Sequence, residues 1–254
     1  MTSPRLPGRD PRTVARDIPG IFDALFPQLA PGVVIHFNSK AYAIDSCEAV
    51  PSDLISASSL QHAMLFEIAV AAGEQLVMGC ESIDLDGALS IAIARQRRHF
   101  DAKLPKNITD IDKKVIFLVA ENLATILSQV SADVAQQILV SSPHIPGYQW
   151  IASGAGDFAI GSRLIEVKCT NKPFSSSDYR QVMMYWLLSY ASSVEDGIAA
   201  WSDALLVNPR LNKIVKVYFD EVIQVIGAGR SKIDILELFS FIVGDHNARM
   251  IAQV

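Results

Sequence analysis

Cysteine is scarce in this chain. Cys47, Cys80 and Cys169 are the only three, and they are far apart, which excludes both a disulfide framework and the close Cys pairs of a zinc knuckle. A reducing, cytoplasmic setting is expected. Positive charge is in deficit as well: 22 Lys and Arg stand against 27 Asp and Glu, a formal net charge of −5. The chain therefore has no bulk basic footprint, and any contact with nucleic acid has to be a local patch. Uncharged apolar runs of about 18 residues, the length of a membrane span, are absent too. The most hydrophobic helical stretch, AMLFEIAVAAGEQLVMG, is interrupted by Glu67 and Glu74, so no membrane partner is expected. The N-terminal MTSPRLPGRDPRTVARD lacks the apolar core of a secretion signal. No P-loop, GxGxxG or Ser/His/Asp arrangement occurs, which leaves ATP or nicotinamide chemistry unsupported. What the chain does have is apolar bulk: half of its 254 residues are hydrophobic, enough for a proper core.

Prolines and alternating charges suggest a flexible arm over residues 1–18. Residues 19–110 read as an N-terminal subdomain of helix, hairpin and helix, a site for substrate or partner contacts. Its parts are IPGIFDALFPQLAPG, two strand-like runs around Asn38-Ser39, and a helical pattern from about Ser58 to Gly79. A basic stretch follows, with Arg95, Arg97, Arg98, Lys103 and Lys106 within a dozen residues. Such a run is commonly a solvated surface, and its sharper reading is a phosphate-contacting patch. Residues 111–254 read as an α/β (α+β) unit. A helix over 112–130 precedes strand candidates around the turn Gly161-Ser162, then the helix DYRQVMMYWLLSYA and two strands around Asn208-Pro209. That order implies a mixed central β-sheet flanked by helices.

The chemically informative stretch is GAGDFAIGSRLIEVKCTNK, residues 154–172. In LIEVKCT, alternation puts Leu164, Glu166, Lys168 and Thr170 on one face and Ile165, Val167 and Cys169 on the other. Ionised groups in a half-buried strand need a partner, and a salt bridge or a metal site would each supply one. A hairpin at Gly161-Ser162 would bring Asp157 beside Glu166. Two carboxylates so placed favour a divalent cation, which Mg²⁺ satisfies with one or two carboxylates plus water and phosphate.

The pattern Asp157, a gap, then Glu166-Val167-Lys168 resembles the PD-(D/E)xK nuclease superfamily, with Gly156 where Pro is usual. Gln181 and Tyr185, one helical turn apart, resemble the QxxxY motif of its RecB-like and lambda-exonuclease-like branches. The resemblance spans roughly residues 112–220. It implies a restriction-endonuclease-like core and hydrolysis of DNA phosphodiester bonds with Mg²⁺ or Mn²⁺. By position, Asp157, Glu166 and the Val167 carbonyl become metal ligands, Lys168 the catalytic lysine, and Gln181 and Tyr185 the supporting helix pair. Glu121, a charged residue on an otherwise apolar helix, is a further metal-ligand candidate. The resemblance also implies DNA as partner, with a role in defence against foreign DNA or in repair, beside a targeting protein or nucleic-acid-guided partner. A homo-oligomer is a further expectation, because processive exonuclease action needs a ring or dimer. The alternatives are a catalytically silent binding or assembly protein on the same fold, and an RNase or structure-specific resolvase.

Overall fold

Capping chemistry and apolar spacing set the helices of this chain, and a short central sheet is laid between them. The computed structural model describes residues 8–18, 20–96, 105, 107–134 and 137–251. Three short helices come first, α1 (Pro11–Asp17), α2 (Ile21–Leu25) and α3 (Pro31–Ser39), then α4 (Ser52–Ser56), α5 (His62–Val77) and α6 (Leu85–Gln96). The long helix α7 (Asp110–Ala132) leads to β1 (Leu139–Ser141), β2 (His144–Ile145), β3 (Gly154–Ala155), β4 (Phe158–Ile160) and β5 (Arg163–Val167). The chain then forms α8 (Ser176–Asp196), β6 (Asp203–Asn208), β7 (Lys213–Tyr218), α9 (Phe219–Ile226) and α10 (Lys232–Ile251).

The main sheet has five strands in the order β1-β4-β5-β6-β7, and β2 pairs with β3 in a separate ribbon. Neighbours are antiparallel except β5 and β6. A parallel pair needs a crossover, and α8 supplies it. The β4–β5 hairpin turns at Gly161-Ser162 with Ile160 opposite Arg163, as expected from the sequence. Gly161 takes φ 56°, where a side chain would also strike Gln137.

Alternation divides the sheet cleanly. Leu164, Ala204, Leu206, Val215 and Val217 face a core built with α8, whereas Phe158, Ile160, Ile165, Leu205 and Val207 face Leu123, Ile126 and Leu127 of α7. Helices α7 and α8 each start with a reciprocal capping box, Thr109 with Asp112 in α7 and Ser175 with Asp178 in α8. Helix α5 lies closely against α7, where a side chain at Gly73 would collide with Leu123. By length and composition α7 could cross a membrane, but half of that stretch is buried inside the fold, as in a core helix.

Two sequence expectations need correction. The hairpin around Asn38-Ser39 is a helix, α3, so the N-terminal region is not helix, hairpin and helix. Val33, Val34 and Ile35 read as strand formers, but Pro31 occupies the first turn and buried Val34 and Phe37 lie three apart on one face. The Asn38 amide then donates to Val34 O and Phe174 O, closing the helix end onto the chain before α8. The arm over residues 1–18 is not flexible throughout either. Asp10 caps α1, and Val14 and Ala15 enter the same core as Phe22, Phe37, Tyr179 and Trp186. The segment from Val14 to Phe37 thus shares its core with α8, while α4, α5 and α6 pack with α7 in a second cluster.

Candidate functional site

Asp157 lies one residue before β4. Because Phe158 pairs with Ile165, the next position brings Asp157 opposite Glu166, on the face of β5 covered by α8. Its Oδ2 accepts a 2.7 Å hydrogen bond from Val167 N, which ties the turn before β4 to the end of β5.

Glu166 is only 1% exposed. Its Oε1 accepts from Lys168 Nζ at 2.8 Å and from Gln181 Nε2 at 2.6 Å, while Gln181 Oε1 accepts from the same Nζ at 2.9 Å. The three side chains form a closed ring. That ring fixes the Gln181 amide, since reversing it would point its oxygen at the carboxylate. The second Gln181 N–H bond goes to Tyr185 Oη at 2.9 Å, so the pair one turn apart on α8 acts as a unit. Glu166 Oε2 is different: it is buried and has no hydrogen-bond partner.

The electrostatics follow from burial. Desolvation, and then the nearby Asp157 charge, push the Glu166 carboxyl up to about 7, against the pull of Lys168 and Arg12. Burial alone would lower Lys168, but Glu166 and Asp157 overcome it and hold the ammonium above the ordinary lysine range. The two shifts oppose each other, since one favours a neutral acid and the other an ionised partner. Geometry favours the cation, because Lys168 has two carboxylates within electrostatic reach and Glu166 loses its charge only to an unpaired oxygen. Cys169, the next residue, is pushed up to about 12 by burial and by Asp157, which leaves an unreactive thiol.

Sequence reasoning missed Arg12. From α1 its Nε donates to Tyr185 Oη at 2.7 Å and its Nη2 to Ala155 O at 2.9 Å, with Nη2 also 3.6 Å from Asp157 Oδ1. It links the N-terminal helix, α8 and the acidic pair. Asp10-Pro11 carries the signal of a helix start, a cap followed by Pro at the first turn, but nothing local says that Arg12 reaches this site.

The other expected residues lie elsewhere or outside the described residues. Glu121 is exposed on α7, and α7 packs on the sheet face opposite Glu166. Arg95 forms ion pairs with Glu67 at 3.2 Å and Glu74 at 2.9 Å, so its charge is already answered by carboxylates. Arg97, Arg98, Lys103 and Lys106 lie outside the described residues.

Among the described residues no cluster of three or more His, Cys, Asp or Glu is placed to hold a metal. The available set is the carboxylate pair with a neighbouring backbone carbonyl. This suits Mg²⁺ or Mn²⁺, which keep several waters and need few protein oxygens, and it would give the orphaned Glu166 Oε2 a partner. The site can therefore offer hard oxygen ligands, one fixed ammonium and one fixed guanidinium at a common point. No family model, curated protein or solved structure matches this chain.

Proposed function

We propose that the protein is a metal-dependent nuclease that hydrolyses phosphodiester bonds, with DNA as substrate. One observation carries this reading. Asp157, Glu166, Lys168, Gln181 and Tyr185 were singled out along separate segments of sequence; Glu166, Lys168, Gln181 and Tyr185 meet in one hydrogen-bonded group, and Asp157 lies beside it, bonded to Val167 N and 3.6 Å from the Arg12 guanidinium that also holds Tyr185. The order helix, three antiparallel main-sheet strands, crossover helix, parallel strand, from α7 to β6, supports the restriction-endonuclease-like core that the resemblance implies.

Asp157, Glu166 and the Val167 carbonyl would hold Mg²⁺ or Mn²⁺. When bound, the ion supplies a Lewis acid for the phosphate and a water of lowered pKa. Lys168, held by Glu166 and Gln181, would donate to the charge that develops on the phosphate oxygens. Its raised affinity for the proton favours that role over accepting a proton from water. Gln181 orients both Glu166 and Lys168, and Tyr185 holds Gln181. Arg12 fixes Tyr185 from the other side and adds positive charge beside Asp157. A silent scaffold on this fold has no need to keep the acidic pair and the lysine in register, and this chain keeps all of them. Cytoplasmic action in defence or repair beside a targeting partner is the setting this reading implies.

Calorimetric titration with Mn²⁺ tests the ligand assignment without requiring a substrate. Asp157→Asn is expected to weaken Mn²⁺ binding at least about tenfold while the fold persists, because one of two charged ligands is lost. Unchanged affinity would return Asp157 to its role in fixing the Val167 backbone.

A further inference from the structure

Among the described residues, Arg210 is a buried charged group whose placement the site so far does not explain. It follows β6 in the Asn208–Asn212 loop, is 9% exposed, and has its Nε buried without a hydrogen-bond partner. Its guanidinium carbon lies 5.0 Å from the centre of the Phe66 ring. Among the described residues no carboxylate and no other acceptor meets this side chain. Several other described arginines have a charge partner: Arg12 has Asp157 and Tyr185, Arg95 has Glu67 and Glu74, Arg163 has Asp203, and Arg180, whose Nε is also buried without a bond, pairs its outer nitrogen with Asp23. A buried cation left unpaired is costly, and burial duly lowers the affinity of Arg210 for its proton.

The loop that carries it is tied down by hydrogen bonds. Pro209 O accepts from the Asn122 amide at 2.9 Å, and Arg210 O accepts from Val50 N at 2.8 Å. The Asn208 amide donates to Thr170 O at 2.9 Å and Asn208 Oδ1 accepts from Leu211 N, while Asn212 donates to Ile44 O and Cys47 O. Arg210 is thus held just past the carboxyl end of β6, the parallel neighbour of β5, whose own carboxyl end carries Glu166 and Lys168. The carboxyl ends of parallel strands are where open α/β sheets receive ligands. Cys169, the residue after Lys168, packs against the cluster that holds Phe66 and lies within electrostatic reach of Asp157, Lys168 and Arg210. Glu67, which also acts on Cys169, has its charge tied to Arg95.

We propose that Arg210 is a second phosphate subsite, which takes a backbone phosphate of the nucleic acid where the strand passes over the ends of β5 and β6 from the Glu166–Lys168 site. Phe66 backs the guanidinium plane, and its outer nitrogens supply paired donors suited to phosphate oxygens. The subsite rests on the nuclease reading, which provides the strand that would pass there.

Fluorescence anisotropy in EDTA, with labelled duplex DNA, single-stranded DNA and RNA at about 50 to 200 mM salt, tests it apart from cleavage. Arg210→Gln is expected to bind about tenfold more weakly at the low end, with a log–log salt slope shallower by about one. Its thermal midpoint and Mn²⁺ affinity should stay at wild-type values. Arg210→Lys keeps the charge and should keep the slope. If Arg210→Gln fails to fold, Arg210→Met refills the space over Phe66 without charge and takes its place. Wild-type affinity and slope in the uncharged variant would overturn the subsite, and a wild type that still cuts DNA in Mg²⁺ would leave the nuclease reading standing. A wild type that neither binds nor cuts any of these nucleic acids would overturn both.

Discussion

Glu166 has two oxygens in opposite circumstances, one bonded to Lys168 and Gln181 and the other buried with no partner. Its carboxyl is pushed up to about 7 by burial and by Asp157. Below that pH the free protein holds a proton there, and a divalent ion must expel it; above it the carboxylate is already ionised. Mn²⁺ affinity should therefore rise about tenfold per pH unit from about 5 to 7 and then level off. Titration at pH 6 in buffers of different ionisation heat should report about one proton released per ion. No buffer dependence would remove Glu166 from the ligand set. Tyr185 offers a stability test. Its hydroxyl oxygen accepts from both Arg12 and Gln181, so Tyr185→Phe leaves a buried Gln181 N–H unpaired. Urea unfolding in EDTA should show a loss of about 1–3 kcal/mol, and a neutral effect would mean that the Arg12–Tyr185–Gln181 chain does not hold α1 to α8.

At the scale of elements, Asp112 shows how one residue can join segments. It is fully buried at the start of α7 and accepts from Ser58 Oγ, from Ser59 N and Oγ, and from Thr109 N and Oγ1. Burial alone would raise its carboxyl, but hydrogen bonds from Ser58, Thr109 and Ser59 outweigh that and hold it well below the usual range. A depressed carboxyl contributes stability that is present above its unfolded value, about 3.9, and lost as pH falls through the folded one. Asp112→Asn should cost about 2–3 kcal/mol at pH 7. The gap from wild type should narrow only below about pH 4, and a gap of constant size across that range would show that ionisation plays no part. The contact of Asp112 with Ser58 and Ser59 was not legible in sequence. Local rules see spacing along one segment, and this contact crosses between two. The same limit explains α3, where β-branched residues favoured a strand until Pro31 and the buried Val34 and Phe37 face decided for a helix. The β4–β5 hairpin and α8 were legible because turn chemistry and period agreed there.

For the whole molecule, alternation and helical period conveyed the mixed sheet, its flanking helices and the nearness of Asp157, Glu166 and Lys168, whereas the place of Gln181 and Tyr185 beside them was implied only by the resemblance. They did not convey Arg12 or Arg210, because each reaches the sheet ends through tertiary packing from a loop or a distant helix. With a net charge of −5, the body of the protein repels a polyanion, so Arg12, Lys168 and Arg210 would have to draw the strand to one edge of the sheet. Binding there should weaken steeply with salt. The most direct test of the central claim is cleavage of circular and linear DNA, single- and double-stranded, and of RNA, by the purified protein in Mg²⁺, Mn²⁺ or EDTA, beside Lys168→Ala. Nuclease action at this site requires metal-dependent cutting of DNA by the wild type, none in EDTA, and loss of at least about a hundredfold in the variant with its fold retained. Cutting that survives in EDTA, or in Lys168→Ala at the wild-type rate, would contradict it.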